Sequence, residues 1–319
     1  MPAKSPSRRE VESKLRFEKG VLRSMERKYS AALDIFKQGI EDYGHDDIEQ
    51  ELRYRERLVQ TFLSLGRLSD AENELRTIHA ILADQQPKRS LHHWSMYHRH
   101  KSTLAALRLM LFHHREKGRR NHPSKKELLD TALIAADESR KCSGDFYSQS
   151  KHPLVDETGK GIALLKKAQA RFIYHQYGGA HRDALRGAGI LAGYSNSRWW
   201  RMSCLDLAAR SLAMLGRCNE ARKELRKAQN VFDDSGKDDC IRECELLRSE
   251  GLILLKQGRV EESIARHQDS LKFTKRKNVS SPCIELAHLS DLATAQLIAG
   301  DLSKAKATLE KAERVKISW

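Results

Sequence analysis

The sequence predicts an all-α fold: a right-handed α-solenoid of about seven helical hairpins that is irregular in its centre. Three observations predict it. One pattern of small and apolar residues recurs along the chain, and its last three glycines, at 216, 258 and 300, lie 42 residues apart. Only 6 prolines interrupt 319 residues, of which 32% are charged. Apolar residues fall at helical spacing, as in Leu205, Ala208, Ala209, Leu212 and Leu215. Repeats of this length are typical of stacked pairs of helices.

Each repeat contains a glycine and small residues at fixed intervals. The glycines follow one apolar-periodic segment and precede another, at Gly66, Gly216, Gly258 and Gly300. Glycine adopts the left-handed conformation that ends a helix, so it marks the turn of a hairpin. Five residues later, in the second helix, stand Ala71, Ala221, Ser263 and Ala305. Seven residues before the turn stand Ala209, Gly251 and Ala293. Small side chains at these places allow the two helices to pack closely.

These features resemble the tetratricopeptide repeat (TPR) family. The shared features are the small residue in helix A, the glycine at the turn, and a helix-B alanine followed four residues later by Leu225 or Leu309. The N-terminal unit fits too, with Gly20 in helix A and residues 29–36 as helix B. The chain departs from the family in its period, which is longer than about 34 residues, and in lacking most repeat-ending prolines. The resemblance covers residues 11–85 and 162–317. It implies a non-enzymatic scaffold or adaptor that binds a protein or peptide.

Aligning the helix-B residues gives the predicted organisation. The hairpins fall near Ala32, Ala71, Ala132, Ala184, Ala221, Ser263 and Ala305, with Gly178-Gly179 as a weaker turn in the fourth. We predict a disordered basic N-terminus (1–10), N-terminal helical repeats (11–86), a basic, histidine-rich, irregular helical insertion (87–160) and C-terminal helical repeats (161–319). Turn-forming residues over 143–161 predict a polar loop.

The resemblance also implies a concave groove lined by the helix-A faces. In this alignment the lining residues are Arg53, Glu56, Gln60, Lys166, Gln169, Tyr177, Asp206, Arg210, Arg248 and Lys256. The lining is mixed but net basic. It suits a partner with an acidic surface, such as an extended acidic peptide, because arginine pairs with carboxylates through parallel hydrogen bonds.

The centre of the chain concentrates positive charge. Residues 88–126 contain 11 basic residues, 1 acidic residue and 7 histidines. The candidates for contact with an anionic partner or a nucleic acid are Lys101, Arg108, Arg115, Lys117, Arg119 and Arg120. Such a charge attracts anions and is typical of nucleic-acid contacts, but an amphipathic helix with a solvated basic face explains the same pattern. The histidines alone do not predict a metal site, because companion carboxylates or thiolates at ligand spacing are missing.

No motif indicates catalysis, a cofactor or a metal site, so we predict that the chain is not an enzyme. Gly187-Ala188-Gly189 resembles the start of a dinucleotide-binding fingerprint, yet it stands in a helical stretch and indicates close helix packing. The six cysteines form no CxxC pair and are predicted to be reduced. No secretory segment and no apolar stretch of about 20 residues is found, which favours a cytoplasmic protein without a membrane span.

Three functions are compatible with these features. The first is an adaptor that binds a protein or peptide, as part of a larger complex. The second is a nucleic-acid-associated repeat protein that uses the central basic helix. The third is the regulatory subunit of an enzyme complex.

Overall fold

The computed structural model describes residues 8–44, 47–85, 90–115, 123–150, 156–234, 240–276 and 282–315. The chain forms two compact units, one of Met1–Pro87 with Ile317–Trp319 and one of Lys88–Lys316. The described residues fold into 14 α-helices, which confirms the all-α fold class. None of these helices is long and apolar enough to cross a membrane.

The first unit contains two hairpins. Their helices are α1 (Arg8–Met25), α2 (Tyr29–Gly39, continued by a π-helical turn at Ile40–Gly44), α3 (Ile48–Ser64) and α4 (Leu68–Ala83). The core holds an aromatic cluster in which Phe17 lies 5.5 Å from Tyr54 and 6.2 Å from Phe36, between ring centroids. Phe36 and Tyr54 are fully buried. The Tyr54 hydroxyl donates to the Ser13 carbonyl oxygen over 2.7 Å, so its polar end is satisfied inside the core.

The second unit contains five hairpins. Their helices are α5 (Leu91–Arg115), α6 (Lys125–Ser150), α7 (Asp156–Ile173), α8 (Tyr177–Leu191), α9 (Arg198–Met214), α10 (Cys218–Asp233), α11 (Cys240–Lys256), α12 (Val260–Arg276), α13 (Pro282–Ile298) and α14 (Leu302–Glu313). A short 3-10 turn at Ser195–Ser197 precedes α9. Within each hairpin the two helices pack together, and each first helix also contacts the first helix of the next hairpin. The helices α5, α7, α9, α11 and α13 therefore form one continuous layer.

The predicted turns and close contacts are confirmed. Gly66, Gly216, Gly258 and Gly300 have φ angles of 69°, 78°, 77° and 80°. The small residues five positions later are all fully buried. At one of them, the Ser263 hydroxyl donates to the carbonyl oxygen of Gly251 over 2.7 Å. A side chain at Gly251 would begin 2.7 Å from the His267 ring, so the helix pair α11–α12 requires a glycine there.

The fourth hairpin turns at a different residue from the one predicted. His175 takes the left-handed conformation, with φ 64°, and Gly178 and Gly179 lie inside α8. The backbone N–H of Gln176 donates to the Arg171 carbonyl oxygen over 2.8 Å, which closes the helix as the glycine turns do. Histidine tolerates this conformation better than most side chains. Ala180, five residues later and fully buried, is therefore the equivalent helix-B residue, instead of Ala184.

Residues 143–150 are helical, although the sequence predicted a polar loop from 143 to 161. Helix α6 runs to Ser150, and α7 begins at Asp156. Ser143 is buried, and its hydroxyl lies 2.6 Å from that of Ser95 on α5. Tertiary contacts of this kind outweigh the low helix propensity of serine and glycine, and so extend the helix.

The conformation of Gly258 leads to a stability prediction. We expect Gly258→Ala to lower the free energy of unfolding by about 1–2 kcal/mol, because alanine is strained at positive φ. Gly189→Ala is the matched control: this exposed helical glycine has open space around its α-carbon, and alanine there should be neutral or stabilising by up to about 1 kcal/mol. Urea unfolding followed by circular dichroism measures both. Equal effects would contradict the left-handed turn.

Candidate functional site

A concave cavity of about 450 Å³ opens on the layer of first helices in the second unit. Residues from α5, α7, α9, α11 and α13 line it, together with His175 in the turn after α7 and Tyr177 at the start of α8. Its volume lies in the range of sites that enclose small ligands, about 300–1,000 Å³.

One wall of the cavity is apolar. It consists of partly exposed or buried side chains from α5, α7 and α13, namely Ala106, Leu107, Met110, Phe172, Ile173, Ile284 and Ala287. Phe172 packs edge-on against Tyr177, with 5.4 Å between the ring centroids. Apolar surface left open in a concave site gains free energy when a ligand removes it from water.

Lys166 on α7 lies in the cavity with its ammonium poorly solvated. Its Nζ stands 5.7 Å from the ring centroid of Trp200, a cation–π contact. The Lys166 side chain is partly buried, and its exposed part faces the cavity. Burial and the positive charges of Arg99 and Arg242 lower the pKa of Lys166 to about 8.

Arg210 on α9 is the second cation of the cavity. Its guanidinium stacks over Phe172, with 4.7 Å between Cζ and the ring centroid. Its Nε is buried and has no hydrogen-bond partner among the described residues. Burial, with the nearby Arg248, lowers the pKa of Arg210, and Asp206 opposes this shift through its negative charge.

Arg248 on α11 is a third cation, and it is neutralised by Asp291 on α13 through an ion pair. Burial alone would lower the pKa of Arg248, but the Asp291 carboxylate outweighs it and the pKa is raised. Glu245, also in the lining, pairs with Arg242 over 2.7 Å. Glu245 and Asp291 therefore form their ion pairs with Arg242 and Arg248, and their negative charges also oppose the lowering of the Arg210 pKa.

The structure gathers five of the residues predicted for the groove around this one cavity: Lys166, Gln169, Tyr177, Arg210 and Arg248. Asp206 lies beneath the surface, 5% exposed. Lys256 is exposed at the end of α11 and is not part of the lining.

The groove residues predicted on α3 belong to the first unit. Arg53 is exposed and pairs with Glu49 over 2.6 Å, and Gln60 accepts a hydrogen bond from Arg57 over 3.0 Å. Glu56 is buried at 7% exposure.

The central basic residues do not line the cavity where they are described. Lys101 and Arg108 are partly buried on α5, and Lys101 lies 5.8 Å from the Tyr97 ring. Helix α5 contributes Thr103, Ala106, Leu107, Leu109 and Met110 to the cavity instead. Lys117, Arg119 and Arg120, and the side chain of Arg115, lie outside the described residues. Contact with an anionic partner or a nucleic acid through this segment stays a prediction.

The cavity also holds a cysteine and a buried histidine, Cys283 and His288, on α13. Burial raises the pKa of the Cys283 thiol to about 11 and lowers the pKa of His288 to about 3. The His288 Nδ1 lies 2.8 Å from the Ser270 hydroxyl. Both side chains are therefore neutral near pH 7, whereas a nucleophilic cysteine acts as the thiolate. In the part of the chain that is described, no group of three or more His, Cys, Asp or Glu side chains is arranged to hold a metal.

Known proteins resemble this chain in fold but not in sequence. No protein-family model and no curated protein sequence matches this chain. Aspartyl phosphate phosphatase F from Bacillus subtilis superposes with a TM-score of 0.67 at 17% identity, over 96% of this chain and 70% of that one. A Rap protein in complex with Competence and Sporulation Factor gives 0.63 at 12% identity, over 97% and 77%. The apo quorum sensor NprR from B. thuringiensis gives 0.56 at 14%, over 95% and 76%.

These similarities agree with the succession of helical hairpins described above. The chain has the fold of the TPR-like helical-repeat proteins.

Proposed function

We propose that this chain is a non-enzymatic, TPR-like regulator or adaptor that binds a peptide segment of its partner in the cavity of the second unit. The cavity carries the proposal. Five successive first helices contribute to it, and it combines an open apolar wall with charged side chains. Such a lining is suited to a segment that offers both apolar and polar groups. The names of two structural neighbours, one bound to a factor and one a quorum sensor, favour a ligand-responsive role.

Binding at this place would act on the whole unit. A ligand that touches α5 and α13 at once contacts the first and the last hairpin of the unit. Each hairpin of a solenoid packs mainly on its neighbours, so small rotations between hairpins change the curvature of the layer. A bound segment therefore favours the curvature in which all five helices contact it. A partner protein that binds only this curvature would then bind in response to the ligand.

Filling the cavity with a large side chain should weaken peptide binding. We expect Ala287→Trp to weaken the binding of peptides selected from a random displayed library against the full chain by at least about 10-fold, because the indole occupies their place. Ala307→Trp on α14 is the matched control, since Ala307 is exposed and outside the cavity. Fluorescence polarisation with the selected peptides measures both. Unchanged affinity in Ala287→Trp, or an equal loss in Ala307→Trp, would remove the cavity as the binding site.

A further inference from the structure

Helix α1 carries a row of exposed apolar side chains on the face opposite its core contacts. The buried face contains Ser13 and Gly20. The exposed row consists of four side chains that are between 43% and 76% exposed, namely Val11, Leu15, Leu22 and Met25. Isolated apolar residues are common on protein surfaces, but several in line on one helix indicate an interaction surface.

This row has the spacing of a coiled-coil seam. With Glu18 at its centre, its members lie four, three, four and three residues apart along α1. That alternation keeps all five side chains on one side of a helix, where a second helix packs along them. We call these five residues, Val11, Leu15, Glu18, Leu22 and Met25, the α1 seam. All five are exposed, so no described residue of the same chain covers the seam.

The charges at the centre of the α1 seam match a second copy of α1 that runs in the opposite direction. Glu18 attracts Arg57 of α3, and the neighbouring Lys19 is exposed and forms no ion pair among the described residues. In an antiparallel pair with its two-fold axis between residues 18 and 19, Glu18 faces Lys19 of the second copy. Leu15 then faces Leu22 of that copy. A parallel pair would instead place Glu18 against Glu18, which is repulsive.

We propose that two copies of this chain form a dimer in which their α1 helices pack antiparallel along the α1 seam. The seam is self-complementary in this orientation, because Val11 and Met25 lie equally far from Glu18 and so face each other. One 18-residue helix per copy is about 27 Å long and gives a small interface, so we expect a dissociation constant of about 1–100 µM. The α1 seam belongs to the first unit and the ligand cavity to the second, so the dimer carries two free cavities.

Removing apolar surface from the α1 seam should dissociate the dimer. We expect Leu15→Gln and Leu22→Gln each to raise the dissociation constant by at least about 10-fold, because each replaces a leucine that the second copy covers. Ile134→Gln is the matched control, since Ile134 is 63% exposed on α6 and lies outside the seam. Sedimentation equilibrium of the full chain, with a mass of 36.5 kDa for one copy, measures all three.

Exchanging the central charges separates pairing from a folding defect. Glu18→Lys and Lys19→Glu should each weaken the dimer by at least about 5-fold, because four like charges then meet at the two-fold axis. The double variant Glu18→Lys/Lys19→Glu should recover the dimer, because opposite charges face each other again. A variant that merely destabilised α1 would not be rescued by the second substitution.

Disulfide formation under mild oxidation tests the orientation of the two helices. Glu18→Cys lies next to the two-fold axis and should crosslink with its own copy. Two copies of Met25→Cys would lie about 20 Å apart in the antiparallel pair, beyond the reach of a disulfide. A mixture of Val11→Cys and Met25→Cys chains should crosslink, because these positions face each other. The unsubstituted chain, with its six cysteines, gives the background.

Three results would overturn the dimer as proposed. The first is a chain that stays monomeric up to about 1 mM, ten times the weakest dissociation constant expected. The second is a dimer that Leu15→Gln and Leu22→Gln leave unchanged, or that Ile134→Gln weakens equally, since another surface would then hold it. The third is self-crosslinking of Met25→Cys as fast as that of Glu18→Cys, which would indicate parallel helices. None of these results affects peptide binding in the cavity of the second unit.

Discussion

Replacing Tyr54 by alanine is expected to lower the free energy of unfolding of the first unit by about 3–5 kcal/mol. This is the usual range for removing a large aromatic side chain from a core. Tyr54 is fully buried and packs against Phe17 and Phe36. Gly39 lies so close that a side chain there would overlap the Tyr54 ring. The surrounding helices therefore cannot fill the space without rearranging, and most of the cavity should persist.

Tyr54→Phe is the matched control for this effect. It keeps the ring and removes only the hydroxyl that donates to the Ser13 carbonyl oxygen. We expect a loss of about 1 kcal/mol, the usual contribution of one hydrogen bond. Urea unfolding followed by circular dichroism gives the free energies, and hydrogen exchange of residues 8–44 and 47–85 assigns them to the first unit. Similar losses for alanine and phenylalanine would show that the hydroxyl, and not the packing of the ring, holds this core together.

The turns show which part of the fold can be predicted from sequence. Four hairpins turn at a glycine, and the pattern identifies all four because glycine has no side chain to oppose a positive φ. Two further turns use Arg27 and His175, with φ angles of 61° and 64°. The residue type at these two positions does not by itself predict a turn. The buried small residue five positions later did indicate the first of them, through Ala32, but the fourth hairpin was aligned on Ala184 instead of Ala180.

The repeat pattern predicts which helix face each site residue lies on, but not how deeply its side chain is buried. Asp206 and Arg248 both stand ten residues before a turn glycine, so the repeat places them on equivalent faces of α9 and α11. Arg248 reaches the cavity surface, whereas Asp206 is buried. A long side chain extends past its neighbours and a short one is covered by them. The burial of a site residue therefore depends on the side chains of the adjacent helix, and the position of that residue within its own repeat does not specify them.

The contribution of α5 to the cavity lining was not predicted, because its basic residues were taken as the candidate binding residues. The high density of lysine, arginine and histidine led to the prediction that the basic side chains of this helix contact a partner. The cavity instead receives its uncharged face, including Leu107 and Met110. These residues fall at helical spacing with Thr103, so the pattern was present in the sequence. What the sequence lacked was the contact of α5 with α7, which makes that face part of the site.

Asp206→Asn is expected to stabilise the second unit by on the order of 3 kcal/mol at pH 8. Asp206 is 5% exposed, and its Oδ1 has no hydrogen-bond partner among the described residues. Burial raises the pKa of this carboxyl from 3.8 to about 6, even though the positive charge of Arg210 and the hydroxyl of Ser249 favour the charged form. One pKa unit corresponds to about 1.4 kcal/mol, so the ionised carboxylate costs about 3 kcal/mol relative to the neutral form. Asparagine has nearly the same shape and carries no charge.

The sign of the effect fixes its pH dependence. Between pH 3.8 and about 6 the folded state binds more protons at Asp206 than the unfolded state does, so stability falls as the pH rises. The advantage of Asp206→Asn should be absent near pH 3.5, should grow up to about pH 6, and should stay constant above it. Urea unfolding at pH 3.5, 6 and 8 measures it, with Glu310→Gln on the exposed face of α14 as a control that should not follow this curve. If the asparagine variant were less stable than the wild type at pH 8, the Asp206 carboxylate would be contributing a net favourable attraction to Arg210.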